Sequence, residues 1–118
     1  MTNFNQAYRG GVTPITGGWS SEWRNVRTKF RNYSRAGDNL WIGITSNGVS
    51  GCRARWNQKY KHLGLNRMMP LYETSSDDFR KKMELRLTEL MVDLDNVNNG
   101  GGGPAGSPPY IVYGCWRE

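Results

Sequence analysis

A short cationic segment and one distant carboxylate have the side chains needed to act on a phosphate group. The segment RARWNQKYKH contains Arg55, Lys59 and Tyr60, and Glu84 lies further along the chain. Phosphoryl chemistry with a divalent metal needs an oxygen ligand for the ion, a guanidinium to stabilise phosphate charge, and a group that moves a proton. We therefore treat Arg55, Lys59 and Tyr60 as catalytic candidates and Glu84 as the candidate ligand of Mg²⁺ or Mn²⁺.

The segment SSDDFRKKMELRLTELMVDLDN predicts the helix that must position Glu84. Ser76 followed by two acidic residues is typical of a helix start. At about 100° per residue, the apolar positions form one stripe that is predicted to be buried: Phe79, Met83, Leu87, Leu90 and Leu94. Glu84 falls at the edge of this stripe, whereas Glu89 faces water. A carboxylate at such an edge is commonly a boundary residue paired with a lysine or arginine, so both roles stay open.

Two earlier helices are predicted. Residues 20–36 carry a capping serine at their start and end before Gly37, and their buried stripe consists of Trp23, Val26, Phe30 and Tyr33. The other helix covers residues 50–62 and ends before Gly64. The first helix also has a basic surface, which fits either a solvated face or a contact to phosphates: Arg24, Arg27, Lys29, Arg31 and Arg35.

Three strands are predicted from β-branched and aromatic content: LWIGITS, MMPLYETS and YIVYGCW. Pro70 suits the start of the second strand rather than its middle. The segment NNGGGGPAGSPP predicts a loop of bare backbone. These elements indicate an α+β fold with a small three-stranded antiparallel sheet flanked by helices. Residues 1–18 are expected to form an N-terminal arm, and residues 19–118 a single domain.

Composition points to a polyanionic partner. Sixteen lysines and arginines against ten acidic residues leave a formal charge of +6, which favours nucleic acid, with an anionic membrane surface as second choice. The N-terminus lacks the apolar core of a signal peptide and no apolar run is long enough to span a bilayer, so we expect a cytoplasmic protein. Cys52 and Cys115 are expected to be reduced thiols, and one histidine with two distant cysteines does not make a zinc site.

The middle of the chain resembles the GIY-YIG nuclease family. LWIGITSN is similar to the second half of the family signature, with Trp41 where a tyrosine is usual. The Arg-Trp pair of RARWNQKY resembles the head of the family's first conserved helix, which places the catalytic arginine at Arg55. One turn later, where the family has His, Tyr or Lys, this chain has Lys59 followed by Tyr60.

The resemblance extends over residues 40–103. LYETSSDDFRKKMELRLTEL is similar to the family's strand and glutamate helix, which assigns the single metal-binding glutamate to Glu84. Asn98 or Asn99, just before GGGG, resembles the family's late asparagine. By this resemblance the protein is expected to have a GIY-YIG-like fold.

Two departures from the family concern the tyrosines. The indole N–H of Trp41 can donate a hydrogen bond but cannot take a proton, and no GIY strand lies immediately upstream of LWIGITS. The C-terminal segment PPYIVYGCW is close in character to the missing strand. We hypothesise a permuted arrangement in which this segment pairs beside Trp41 and Tyr113 or Tyr110 supplies the phenol. The alternative is a simple edge strand whose tyrosines pack.

The resemblance implies an endonuclease that hydrolyses phosphodiester bonds of DNA with Mg²⁺ or Mn²⁺. Little of the chain is left for reading bases, so sequence specificity is expected to be weak unless a protein partner supplies it. The alternative is a catalytically inactive nucleic-acid-binding protein on the same scaffold. In both cases the expected nucleic-acid contacts are Trp41, Arg53, Lys61 and His62. A protein-interaction module is a third hypothesis.

Overall fold

A computed structural model describes residues 1–102 and 105–118, and it contains both helices and strands, beginning with two helices and ending with two strands. The helices are α1 (Phe4–Ala7), α2 (Trp19–Tyr33), α3 (Gly48–Gln58) and α4 (Asp77–Leu94). The strands are β1 (Asp38–Thr45), β2 (Arg67–Thr74), β3 (Asn98–Gly102) and β4 (Tyr110–Arg117). A short 3₁₀ turn, Tyr60–Leu63, follows α3.

The strands form one mixed sheet in the order β2-β4-β1-β3. β4 is antiparallel to both of its neighbours, whereas β1 and β3 run parallel. The α+β class is therefore confirmed, but the predicted three-stranded antiparallel sheet is wrong by one strand. The added strand is the glycine segment NNGGG, which pairs at the sheet edge through backbone atoms that glycine supplies as well as any residue.

The two faces of the sheet carry separate apolar clusters. Along β4, Val112 and Trp116 pack with α2 and α4, and we call this side the α4 face. Ile111, Tyr113 and Cys115 point the other way and pack with α1 and α3, on the side that we call the α3 face. This alternation follows from the two-residue period of a strand. Only side chains on the same face of the sheet can share a site.

Local sequence signals place α4 correctly. The Ser76 hydroxyl accepts a hydrogen bond from the Phe79 backbone N–H at 3.1 Å, as an N-cap does. The predicted buried stripe is only partly right, because Met83 and Leu87 are buried while Phe79 and Leu94 are 37% and 67% exposed. The buried row continues through Met91 instead.

Three other predictions need correction. The helix predicted over residues 50–62 ends at Gln58 and gives way to the 3₁₀ turn. Pro70 lies inside β2 rather than at its start, which is tolerated because β2 is an edge strand with a register shift between Pro70 and Tyr72. Tyr33, predicted as core, is 49% exposed because it lies in the last turn of α2.

The N-terminal arm lies along the outer edge of β2. The backbone N–H groups of Arg9 and Ile15 donate to carbonyls of Met68 and Leu71, and Phe4 is buried on the α3 face. Cys52 and Cys115 are buried free thiols, as predicted. Across the described ranges, the helices are too short or too polar to cross a bilayer.

Candidate functional site

The C-terminal strand lies beside the strand that contains Trp41. β4 pairs antiparallel with β1, which sets Cys115 opposite Trp41 and Tyr113 opposite Gly43. This is the position that the permutation hypothesis gave to the C-terminal strand. Tyr113 therefore points to the α3 face, toward the helix that carries Arg55.

A buried polar centre joins Arg55, Tyr60 and Tyr113. The Arg55 Nε donates to the Tyr113 hydroxyl at 3.3 Å, and the hydroxyls of Tyr60 and Tyr113 lie 2.8 Å apart. Both tyrosines have no exposed surface. Gly43 is required beneath them, because a Cβ there would lie 2.5 Å from the Tyr113 hydroxyl. The Gly of Trp41-Ile42-Gly43 is thus explained by the two phenols packed against it.

The two phenols are neutral at physiological pH. Burial raises the pKa of Tyr60 to about 12, against the lowering effect of its hydrogen bond with Tyr113. Burial also raises the pKa of Tyr113 well above its ordinary value, and the hydrogen bond from Arg55 lowers it only in part. A neutral phenol can donate a proton or a hydrogen bond but is a poor base. The arrangement therefore suits holding Arg55 in place.

The backbone carbonyl of Gly100, in β3, receives two cationic donors. Arg55 Nη2 lies 2.8 Å from this oxygen, and Lys59 Nζ lies 3.3 Å from it. The pairing of β1 with β3 shifts register between Ile42 and Gly43, which leaves Gly100 without a partner in β1. Its carbonyl can therefore turn toward Arg55 and Lys59. Sequence reasoning missed Gly100, although the run of glycines was a signal of close backbone approach.

Trp41 lies against Lys59, one of these two cations. Lys59 Nζ is 4.8 Å from the centre of the Trp41 ring, and the Trp41 and Tyr60 rings meet edge to face at 6.1 Å. The Trp41 indole N–H donates to the Asn39 side chain at 3.0 Å. Trp41 is partly exposed, so the site offers an aromatic surface next to an ammonium group.

The predicted asparagines and the second tyrosine make contacts outside the Arg55 centre. Asn98 donates to the Leu40 carbonyl at 3.1 Å, and the Asn99 side chain accepts from the Gly101 N–H at 2.8 Å. Both contacts shape β3. The Tyr110 hydroxyl donates to the Gly106 carbonyl at 3.3 Å, and its ring contacts the Arg80 guanidinium rather than that of Arg55. Of the two candidate tyrosines, only Tyr113 is joined to Arg55 in the described structure.

Glu84 does not join this centre. It lies on α4, whose neighbouring Met83 and Leu87 pack on the α4 face, whereas Arg55 and Tyr113 belong to the α3 face. Burial raises the Glu84 pKa, and Arg80 one turn earlier lowers it. Counting around the helix placed Glu84 at the core edge correctly, but a helical count cannot tell which face of the sheet a helix covers.

The donor set does not fit the predicted metal. Although the buried Glu84 Oε2 has no hydrogen-bond partner, the positive charge of Arg80 already acts on this carboxylate, and that charge disfavours a second cation. Over residues 1–102 and 105–118, no three His, Cys, Asp or Glu side chains come together as a metal site would need. A Mg²⁺ or Mn²⁺ ion held by Glu84 would also lie across the sheet from Arg55, the residue predicted to stabilise the phosphate.

The cations at residues 53–61, on the α3 face, form no ion pairs within the described residues. Between Asp38 and Glu73 the sequence has five lysines and arginines and no acidic residue. Within the described ranges, four of them form no ion pair with any carboxylate: Arg53, Arg55, Lys59 and Lys61. We call these four residues the cation cluster. His62, exposed nearby, contacts the Asn57 carbonyl at 3.0 Å.

Only part of the basic surface on the other face is neutralised. Arg27 pairs with Asp95 at 2.9 Å, and Lys81 and Lys82 pair with acids of the first turn of α4 at 2.8 and 3.0 Å. Other basic residues also form no ion pair within the described residues, among them Arg24, Lys29, Arg35 and Arg86. The cation cluster is distinguished by its position beside the partly exposed Trp41.

Comparison with known proteins found no matching family model, no matching curated protein and no matching solved structure. The function is therefore inferred from the site itself.

Proposed function

We propose that the protein binds nucleic acid, with DNA as the expected ligand, through the cation cluster on the α3 face. The observation that carries this proposal is the lack of carboxylate partners for the cluster within the described residues, in contrast to Lys81 and Lys82 of α4, which pair with Asp77 and Asp78. An unpaired cation keeps its full attraction for phosphate and gains from the counterions that phosphate releases.

The aromatic surface supports nucleic acid over other polyanions. Trp41 is partly exposed and lies beside Lys59 at 4.8 Å, so one side chain can stack on a base while its neighbour contacts the phosphate. Arg53 is exposed and stacks on Phe4 at 4.9 Å, which holds its charge near the surface. Few of these groups can read base edges, so we expect weak sequence preference.

The test measures binding of a fluorescent oligonucleotide of about 16 nucleotides, single- and double-stranded, from about 50 to about 200 mM salt. Lys59→Gln and Lys61→Gln are compared with the control Lys82→Gln, which removes the same charge from α4. We expect each cluster variant to weaken binding several-fold and to reduce the salt slope by about 1. The control is expected to change both far less.

The proposal fails if the control weakens binding as much as the cluster variants, because the effect would then be one of net charge alone. It also fails if the wild-type protein binds anionic vesicles more tightly than either oligonucleotide. RNA of the same sequence is included to establish which nucleic acid is preferred.

A second candidate function, phosphodiester hydrolysis, is favoured by the contact between Arg55 and Tyr113. In this reaction a water oxygen bonds to phosphorus and loses a proton to solvent, one phosphorus–oxygen ester bond breaks, and the leaving oxygen takes up a proton, which the donor regains from solvent. Arg55 would stabilise the added phosphate charge, and a neutral Tyr113 would donate the proton once it reached the substrate.

Supercoiled plasmid, incubated with Mg²⁺, with Mn²⁺ or with EDTA, tests this second function. Nicking that is lost in Arg55→Gln and Tyr113→Phe but kept in Glu84→Gln would support it. The opposite result is a wild-type protein that only retards the plasmid on a gel, with no nicking under any of these conditions. That result would refute hydrolysis and leave binding as the function.

A further inference from the structure

We infer that β3 is a displaceable cover over a phosphate-binding site, and that the Gly100 carbonyl oxygen occupies the place which a phosphate oxygen of the bound nucleic acid takes. This regulation presupposes the nucleic-acid binding proposed above and concerns the same cations. Arg55 and Lys59 would then meet their ligand only after β3 moves.

The charges around Gly100 favour an anion over a carbonyl. Two full positive charges converge on one neutral oxygen, at 2.8 and 3.3 Å, and neither cation pairs with a carboxylate of the described chain. Arg55 has five N–H donors and Lys59 has three. A phosphate group brings a negative charge and several acceptor oxygens, so it satisfies donors that a single carbonyl leaves unused.

β3 is held more weakly than the other strands. It lies at the edge of the sheet, has five residues and pairs only with β1 among the described strands. Its glycines contribute no side-chain packing and lose much conformational freedom when ordered. The unpaired Gly100 interrupts the ladder. Segments with few buried apolar contacts open at a lower free-energy cost than the core, so β3 can yield to a competing ligand.

A cover of this kind lowers the apparent affinity. When only a fraction of molecules has the site open, the apparent dissociation constant rises in inverse proportion to that fraction. A change that holds β3 open should therefore tighten binding without adding any contact to the ligand.

Gly100→Ala provides such a change. A Cβ at residue 100 would overlap the Tyr60 hydroxyl and approach the Ile42 carbonyl to 3.0 Å, so β3 could not close. Gly102→Ala is the matched control, because its Cβ would meet Ile44 at 3.4 Å, an ordinary contact. Adding Tyr60→Phe to Gly100→Ala removes the overlapping hydroxyl and should restore closure in part.

The experiment measures oligonucleotide binding by these variants and amide hydrogen exchange of β3 in the wild-type protein. We expect Gly100→Ala to bind several-fold more tightly than wild type, Gly102→Ala to bind as wild type does, and the double variant to fall between them. We also expect the amides of β3 to exchange faster in the complex than in the free protein.

Two results would contradict the proposal that β3 covers the phosphate-binding site. One is weaker or unchanged binding by folded Gly100→Ala while Lys59→Gln still weakens binding, since β3 would then be part of the surface or irrelevant to it. The other is slower exchange of β3 amides in the complex, which decides the matter even if Gly100→Ala fails to fold. By contrast, unchanged binding by Lys59→Gln and Lys61→Gln would refute the proposed function itself.

Discussion

The hydroxyls of Tyr60 and Tyr113 lie 2.8 Å apart, although one residue follows α3 and the other belongs to the C-terminal strand. Their hydrogen bond links the two elements on the α3 face, and the Tyr113 hydroxyl also receives the Arg55 guanidinium. The position of Arg55 therefore depends on a pair of buried phenols.

Tyr113→Phe should destabilise the fold by about 1 to 3 kcal/mol, because the Tyr60 hydroxyl and Arg55 Nε would lose a buried partner. Chemical denaturation measures this change in the free energy of unfolding. Tyr33→Phe is the control, since Tyr33 is 49% exposed and should tolerate loss of its hydroxyl. Equal stability of the two variants would show that the buried hydroxyl contributes nothing.

Gly43→Ala should destabilise the protein by about 1 to 3 kcal/mol through overpacking. The new methyl group would lie 2.5 Å from the Tyr113 hydroxyl and 3.0 Å from that of Tyr60. Combining Gly43→Ala with Tyr113→Phe removes the closest overlap, so the two losses should sum to more than the loss in the double variant. Strict additivity in a double-mutant cycle would contradict the packing of Gly43 against Tyr113.

Glu84→Gln should stabilise the protein at neutral pH by about 1 kcal/mol. Burial raises the Glu84 pKa in the folded state, so its contribution to stability is fully present below the unfolded value of 4.5 and is lost as pH rises through the folded pKa. The advantage of Glu84→Gln over the wild-type protein should therefore disappear at about pH 4, where the Glu84 carboxyl is largely protonated in both the folded and the unfolded state. Thermal unfolding at both pH values measures it, with the exposed Glu89→Gln as control.

The same variant also tests whether Glu84 binds a divalent cation. If Glu84 held a metal, millimolar Mg²⁺ or Mn²⁺ would raise the melting temperature of the wild-type protein and not that of Glu84→Gln. The position of Arg80 leads us to expect no such difference.

Asp95→Asn should cost about 1 to 3 kcal/mol, because Asp95 holds Arg27 through two hydrogen bonds of 2.9 and 3.0 Å and its side chain is only 10% exposed. The pair ties α2 to the end of α4. Asp38 makes a similar two-bond contact with Arg117 but is 65% exposed, so Asp38→Asn should cost less stability than Asp95→Asn because solvent screens the pair. Urea denaturation of both variants tests the ranking.

Sequence signals with a local cause were reliable. The Ser76 cap and the acidic first turn located the start of α4, because a helix end is stabilised by residues within one turn of it. The pairing of the C-terminal strand beside Trp41 had a different origin: it was one of two hypotheses, suggested by the family resemblance, and the pairing of β1 with β4 agrees with it.

The errors share a different cause. The sequence predicted a loop at β3 because glycine weakens a strand. At the edge of a sheet, however, a strand can pair through its backbone donors and acceptors alone, and glycine has both. Leu94 was predicted as core from its place on the helix, yet the buried row of α4 runs through Met83, Leu87 and Met91, and Leu94 lies outside it. Burial depends on neighbours that a periodic pattern does not specify.

By itself, the sequence determined the α+β class, the main helices and the charge excess, because these follow from local composition and spacing. Only the tertiary structure decided that Arg55 meets Tyr113 and Gly100 while Glu84 lies across the sheet. Each of these contacts joins residues distant along the chain, and the face of the sheet that a helix covers is set by packing of the whole fold.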